Sequence, residues 1–331
     1  MPMPEPAKRA VVLANLGTPD SPAVDDVRRY LGEFLSDRRI VDAPRAFWLP
    51  FLHLVLLRFY APKSAARYAS VWTPNGSPLR VNMERQVDGL QRRLGEDVAV
   101  RYAMRYGSPS LASTLEDLRS EGVDDVTLLS AFPQASTTTT DSLHDAFAAQ
   151  GLRVTWIDRW GDDEGYIAAC AARILAFWDA NGRPDFAAGD RLLLSFHGVP
   201  MKAVGGGDAY PSECEGTAAR LRESLGLDPR ECQLTYQSRF GPAKWLGPAT
   251  IATVRELGRA GTRRVDVFCP GFTADCLETL EEIGHQNRSA FQAAGGGVLN
   301  LIESLNDEPQ FLDALAALVR PVVGDRPQPI G

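Results

Sequence analysis

The sequence predicts an α/β protein of two Rossmann-like lobes, each a parallel sheet flanked by helices, with an active cleft between the lobes. Three observations carry that expectation. Short apolar runs alternate with helical patterns along the whole chain, the order restarts near the middle, and both halves open on related segments. With 331 residues and 44% hydrophobic side chains, the chain is long enough for about two domains of ordinary globular composition. The expected spans are 1–160 for an N-terminal lobe and 161–331 for a C-terminal one.

In the first half, "AVVLANLG", "VAVRYAM", "DVTLLSAF" and "LRVTWID" read as strands. Val24, Val27, Leu31, Phe34 and Leu35 fall at helix spacing between the first two. In the second half, "RLLLSFHG", "CQLTYQS" and "RVDVFCPG" are strands, separated by helical patterns over Glu213 to Leu225 and Pro248 to Ala260. "VVLANLGTP" (Val11 to Pro19) and "LLLSFHGVP" (Leu192 to Pro200) share an apolar run closed by x-G-x-P, and each opens one half. Alternation of this kind implies parallel sheets with both faces covered, and in such sheets ligands sit beyond the carboxyl ends of the strands.

A net charge of −7 without a polybasic run argues against a nucleic-acid partner. The start "MPMPEPAKRA" lacks the apolar stretch of a secretory signal, which points to the cytoplasm. The five cysteines (Cys170, Cys214, Cys232, Cys269, Cys276) form no C-x-x-C pair and read as reduced thiols; Cys269 and Cys276 lack companions at zinc spacing. From Ala46 to Tyr60, "AFWLPFLHLVLLRFY" is strongly apolar but too short and too interrupted to span a bilayer. It reads equally as a buried helix or as an exposed apolar lip that touches a membrane surface or covers a flat apolar ligand.

His197 ends a run that otherwise reads as a fully buried strand, where a hydrogen-bonded structural imidazole is the plain reading. Further on, "CPGFTADCLETLEEIGHQNR" leaves a strand at Cys269 and enters a helix near Asp275. Asp275 followed by Glu278 resembles a capping box. Glu278 and Glu282, four residues apart, share one helix face, and Glu281 and His285 form a second such pair. A solvated surface helix accounts for these carboxylates as readily as a site does. If Glu278 faces His197, however, the pair meets the needs of metal insertion into a tetrapyrrole. Two pyrrole N–H protons must leave as a divalent cation enters; a neutral imidazole takes one, and a carboxylate takes the other or holds the metal. A row of acids offers a hydrated cation a route inward.

Ordered motifs across the chain resemble the ferrochelatases, which insert ferrous iron into a porphyrin late in haem synthesis. They are "NLGTP" (Asn15 to Pro19), "GSPL", "RYG" (Arg105 to Gly107), "FPQAST", "SFHGVP", "GDAYPSEC", "QSRFGPAKWLGP" (Gln237 to Pro248), "PGFTADCLETLEE" and "SLND". The resemblance implies His197 and Glu278 as catalytic residues and His197, Glu278 and Glu282 as metal contacts. It implies Leu16, Arg105, Tyr106 and Trp245 as the porphyrin-pocket lining. Gln286 stands where the family's next acid falls. Cys276 replaces a histidine that many relatives carry, a change shared by the proteobacterial type. Leu16 in place of the tyrosine of coproporphyrin-using enzymes favours protoporphyrin IX, and Phe132 stands where a tyrosine is frequent. The tail "RPVVGDRPQPIG" has no cysteine, so no 2Fe–2S cluster and no resident cofactor is expected. The implied partners are protoporphyrin IX and ferrous iron, with peripheral contact on the inner face of a membrane, for a cytoplasmic monomer. A cobalt or nickel chelatase acting on a corrinoid precursor and a non-catalytic tetrapyrrole carrier are the alternatives. The first would depend on paired histidines, of which this chain has few (four in all), and the second would not need both His197 and Glu278.

Overall fold

The computed structural model describes residues 8–148, 153–241 and 243–324. Most of the proline-rich start and the end of the cysteine-free tail lie outside them.

Two sheets of four parallel strands form the framework. The first comprises β1 (Lys8–Thr18), β2 (Val98–Gly107), β3 (Val123–Ser130) and β4 (Arg153–Ile157), in the order β2-β1-β3-β4. The second comprises β5 (Arg191–His197), β6 (Cys232–Gln237), β7 (Arg264–Phe268) and β8 (Val298–Leu301), in the order β6-β5-β7-β8. The orders are identical, so the repeat suggested by "VVLANLGTP" and "LLLSFHGVP" is structural: each segment supplies a central strand of its sheet. Both strands are buried on both faces, as parallel strands covered by helices must be: Ala10 to Ala14, Leu192 to Leu194 and Phe196 are all at most 1% exposed. In the second sheet Leu193, Val265, Val267 and Leu299 pack with Val254, Ile283 and Phe291 from flanking helices into one core.

The chain divides into two compact units, 1–131 with 137–158 and 307–331, and 132–136 with 159–306. The last helix, Pro309–Gly324, belongs to the first unit. The cause is packing: Leu312 fits so tightly against Gly89, in the helix Pro78–Leu94, that a Cβ on that glycine would lie 2.3 Å from Leu312 Cδ1. β8 had no counterpart in the sequence reading, and β7 ends at Phe268, before Cys269.

The apolar segment is an uninterrupted helical run, α-helical over Arg45–Phe51, π-helical over Leu52–Leu56 and α-helical again over Leu57–Val71. It is anchored on one side by buried Leu52 and Leu57 and by the Trp48 indole N–H, which donates to the Leu35 carbonyl at 2.7 Å. On the other side Phe47, Leu54 and Phe59 are 80%, 73% and 67% exposed. One face is therefore buried and the other is an exposed apolar surface. No helix among the described residues is long and apolar enough to cross a membrane.

Both central strands end in a glycine seated on the neighbouring strand. A Cβ on Gly17 would lie 1.9 Å from the carbonyl oxygen of Tyr106, and its φ of +125° is a conformation L side chains rarely adopt. A Cβ on Gly198 would lie 2.8 Å from the carbonyl oxygen of Gln237. The side chain just before each glycine, Leu16 or His197, is thereby fixed at a strand's carboxyl end.

Candidate active site

In the second unit β5 and β6 finish together. His197 pairs in register with Gln237, and the Gly198 N–H donates to the Gln237 carbonyl at 2.8 Å. The His197 side chain is exposed at this end, near the Phe272 ring at 6.2 Å between centroids. Its Nδ1 lies 2.7 Å from the Gly198 carbonyl oxygen. A carbonyl only accepts, so Nδ1 carries a proton, and in the neutral ring it is Nε2 that holds the lone pair able to take a proton or meet a metal.

After β6 the chain folds back over the end of β5. The Leu246 N–H donates to the Val199 carbonyl at 2.9 Å and the Met201 N–H to the Lys244 carbonyl at 2.8 Å. The fold-back sets half-buried Trp245 beside Gly198, with ring atom Cε3 3.3 Å from where a Cβ on that glycine would stand; its indole N–H donates to the Phe240 carbonyl at 3.0 Å. Trp245 thus shares a strand end with His197.

The carboxylates lie on a π-helix, Glu278–Asn287, rather than an α-helix. Bonds closing i to i+5 make a wider turn, and long π segments are rare and concentrate at functional sites. Four residues apart, Glu278 and Glu282 stand about one turn from each other on this helix. Asp275 does not form the expected capping box. Its carboxylate accepts from the Thr279 hydroxyl at 2.8 Å, the Asn306 amide at 2.8 Å and the Ser304 N–H at 3.3 Å, so it ties the start of the helix to the loop after β8. Exposed His285 stands apart, and Glu281 takes a bond from Gln286 at 2.5 Å, the i to i+5 relation of the π-helix.

Glu282 is half-buried, and both its oxygens are held by one residue. The Ser238 N–H donates to Oε1 at 2.7 Å and the Ser238 hydroxyl to Oε2 at 2.6 Å. To do so Ser238 adopts φ 65°, a left-handed conformation uncommon for a non-glycine residue. Burial pushes the Glu282 pKa above the usual carboxylate range; the Ser238 bonds and the charge of His197 pull it down, and Glu278 adds to the rise. Glu282 is therefore within electrostatic reach of both His197 and Glu278. Among the described residues, no group of three or more His, Cys, Asp and Glu side chains is gathered as a ready-made metal site.

Cys276, two residues before Glu278, is buried. Burial first, and then the charge of Glu278, push its pKa well up, so it is a protonated thiol within hydrogen-bonding reach of the Glu278 carboxylate. Cys269 is likewise buried and raised, and all five cysteines are buried free thiols.

The remaining sequence-derived residues, Leu16, Arg105 and Tyr106, meet in the first unit at the ends of β1 and β2, where Gly17 pairs with Tyr106. Leu16 is half-buried. Arg105 is already engaged: its guanidinium donates to Asp37 at 2.6 Å and to the Ser142 carbonyl at 3.0 Å. Tyr106, expected as a pocket wall, is 1% exposed; its ring packs edge-on to Phe34 and its hydroxyl donates to Asp37 at 2.8 Å. Burial raises the Asp37 pKa, but the Arg39 N–H, Tyr106, Ser142 and Arg105 together hold it below the ordinary value, so Arg105 faces a carboxylate. Gln237, Ser238 and Asp37 had no role in the sequence reading; the only hint was "QS" within the motif that contains Trp245.

The Ferrochelatase family matches residues 8–322. The chain belongs to the ferrochelatase family. Ferrochelatase-family membership makes metal insertion into a tetrapyrrole the chemistry to be explained. Among solved structures, this ferrochelatase-family chain is similar to SirB from Bacillus subtilis with Fe3+, at 15% identity and TM-score 0.52, covering 75% of this chain and 92% of that one. It is also similar to the sirohydrochlorin chelatase SirB from Bacillus subtilis subspecies spizizenii in complex with cobalt, at 11% identity and TM-score 0.51, covering 95% and 94%. A multi-domain protein from Deinococcus radiodurans with structural similarity to chelatases aligns at 15% identity and TM-score 0.53, covering 97% of this chain and 56% of that one. These likenesses establish the chelatase fold.

Because the Ser238 donors favour the ionised form of Glu282, removing one lets burial raise its pKa further. Ser238→Ala should therefore move the acid limb of the metal-insertion pH profile to higher pH. An unmoved limb would contradict the assignment.

Proposed function

We propose that the protein inserts ferrous iron into protoporphyrin IX, with release of two protons, to make protohaem. The observation that carries this reading is the exposed His197 ring, engaged at Nδ1 by the Gly198 carbonyl, on the same unit as Glu278 and Glu282. For the metal to enter, the two N–H protons of the macrocycle must leave. His197 accepts one at Nε2, and the imidazolium formed is stabilised by the Glu282 charge and by its Nδ1–H bond to Gly198. Glu278 takes the second proton or meets the cation. Glu282, one turn on, continues the acidic path, which the amide of Gln286 ends.

Each unit carries its own candidates for porphyrin contact, Trp245 in the second and Leu16 and Arg105 in the first, where Tyr106 acts through the Asp37 it shares with Arg105. Leu16, lacking a hydroxyl, suits protoporphyrin, and Cys276 fits the proteobacterial type. The reading also includes a cytoplasmic monomer with no resident cofactor and no 2Fe–2S cluster. Its exposed Phe47, Leu54 and Phe59 face rests on the inner leaflet of a membrane.

The test is anaerobic insertion of ferrous iron, followed by loss of porphyrin fluorescence, with coproporphyrin III beside protoporphyrin IX. Wild type should turn over protoporphyrin. His197→Ala should keep porphyrin binding and lose about 100-fold or more in rate. Binding without turnover by wild type would leave a carrier, and turnover of coproporphyrin alone would overturn the substrate.

A further inference from the structure

Gln237 is 3% exposed at the end of β6, and its side-chain amide reaches three other elements. Nε2 donates to the main-chain carbonyl of Glu278, the residue that opens the π-helix, at 2.7 Å. Oε1 accepts from the Ser195 hydroxyl of β5 at 2.7 Å and from the Cys269 thiol, just past β7, at 3.5 Å. The amide's orientation is fixed by its partners, since the Glu278 carbonyl can only accept and so must face Nε2. The Ser195 hydroxyl is in turn 2.8 Å from that of Thr250, and Thr250 is 2.9 Å from Thr235, so the amide rests on a buried hydroxyl chain. Its main chain, meanwhile, pairs with His197 and accepts from Gly198. One residue therefore grips the His197-bearing strand by its backbone and the Glu278-bearing helix by its side chain. A buried amide is costly unless bonded, and the strand ladder alone has no use for it.

We infer that Gln237 is a positioning residue for metal insertion, holding Glu278 at a set distance from the strand that ends in His197. The inference rests on the activity proposed above. Misplacing a catalytic group by about 1 Å can cost on the order of 100-fold in rate, so the strut governs kcat rather than porphyrin binding.

Two near-isosteric variants separate positioning from general stability. Gln237→Met cannot donate at any pH. Its kcat should fall about 10- to 100-fold, with the KM for porphyrin within about twofold and a variant-to-wild-type ratio that does not change with pH. Gln237→Glu cannot donate when ionised but can when protonated. Its kcat relative to wild type should therefore rise as pH falls. Amide hydrogen exchange adds a readout independent of turnover: in Gln237→Met the Glu278–Ile283 amides should lose protection while those of β5 keep theirs.

Wild-type kcat in Gln237→Met overturns the inference, as does unchanged protection of the helix in that variant, or a Gln237→Glu kcat relative to wild type that falls as pH falls. Absence of turnover in the wild type overturns the proposed activity and the catalytic role with it. In that case the exchange measurement still decides whether the strut exists.

Discussion

The pairing of two strand ends, His197 against Gln237, is the contact on which the rest of the candidate site depends. Parallel ladders leave little freedom in register, and Gly198 lets the two backbones meet where any side chain would intrude. Once that pair is set, the imidazole projects at the carboxyl end of a central strand and its Nδ1 falls on the next carbonyl. The residue after the pair, Ser238, reaches Glu282, and Gln237 itself reaches Glu278. The base, the two acids and the indole of Trp245 thus descend from one backbone alignment. Strands of the first unit meet in the same way at Gly17 and Tyr106, and there the corresponding position is apolar Leu16.

The electrostatics follow from burial set against hydrogen bonding. Glu282 is half-buried beside a second carboxylate, which by itself would favour its neutral form. Two donors from Ser238 offset part of that cost, and the Glu282 pKa stays above the usual carboxylate range. Glu278 is treated differently, with a protonated thiol as its neighbour rather than main-chain donors. The π-helix carries both acids, and Asp275 pins its first turn to the loop after β8.

Most of the fold was legible because parallel strands buried on both faces leave continuous apolar runs, and seven of them were readable from "AVVLANLG" to "RVDVFCPG". β8 was not, since "VLNL" behind three glycines is too short to carry a period. The docking of Pro309–Gly324 on the first unit was hidden too, because chain order says nothing about which sheet a terminal helix covers. His197, Glu278 and Glu282 stood out by residue type and spacing, but spacing of four suits an α-helix and a π-helix alike. Gln237, Ser238 and Asp37 act through bonds to residues far away in sequence, and no local pattern records such bonds. Tyr106 shows the opposite error: a motif residue read as a wall is a buried strut whose hydroxyl holds Asp37.

The central claim is that His197 offers Nε2 as its unprotonated nitrogen. Nitrogen-15 NMR of the protein labelled in histidine, with His197→Gln to assign the signals, measures the tautomer directly. Above the titration of the ring, the account predicts a protonated Nδ1 and an Nε2 with the shift of a free lone pair. A ring protonated at Nε2 would contradict it, because the nitrogen that must accept a pyrrole proton would already carry one.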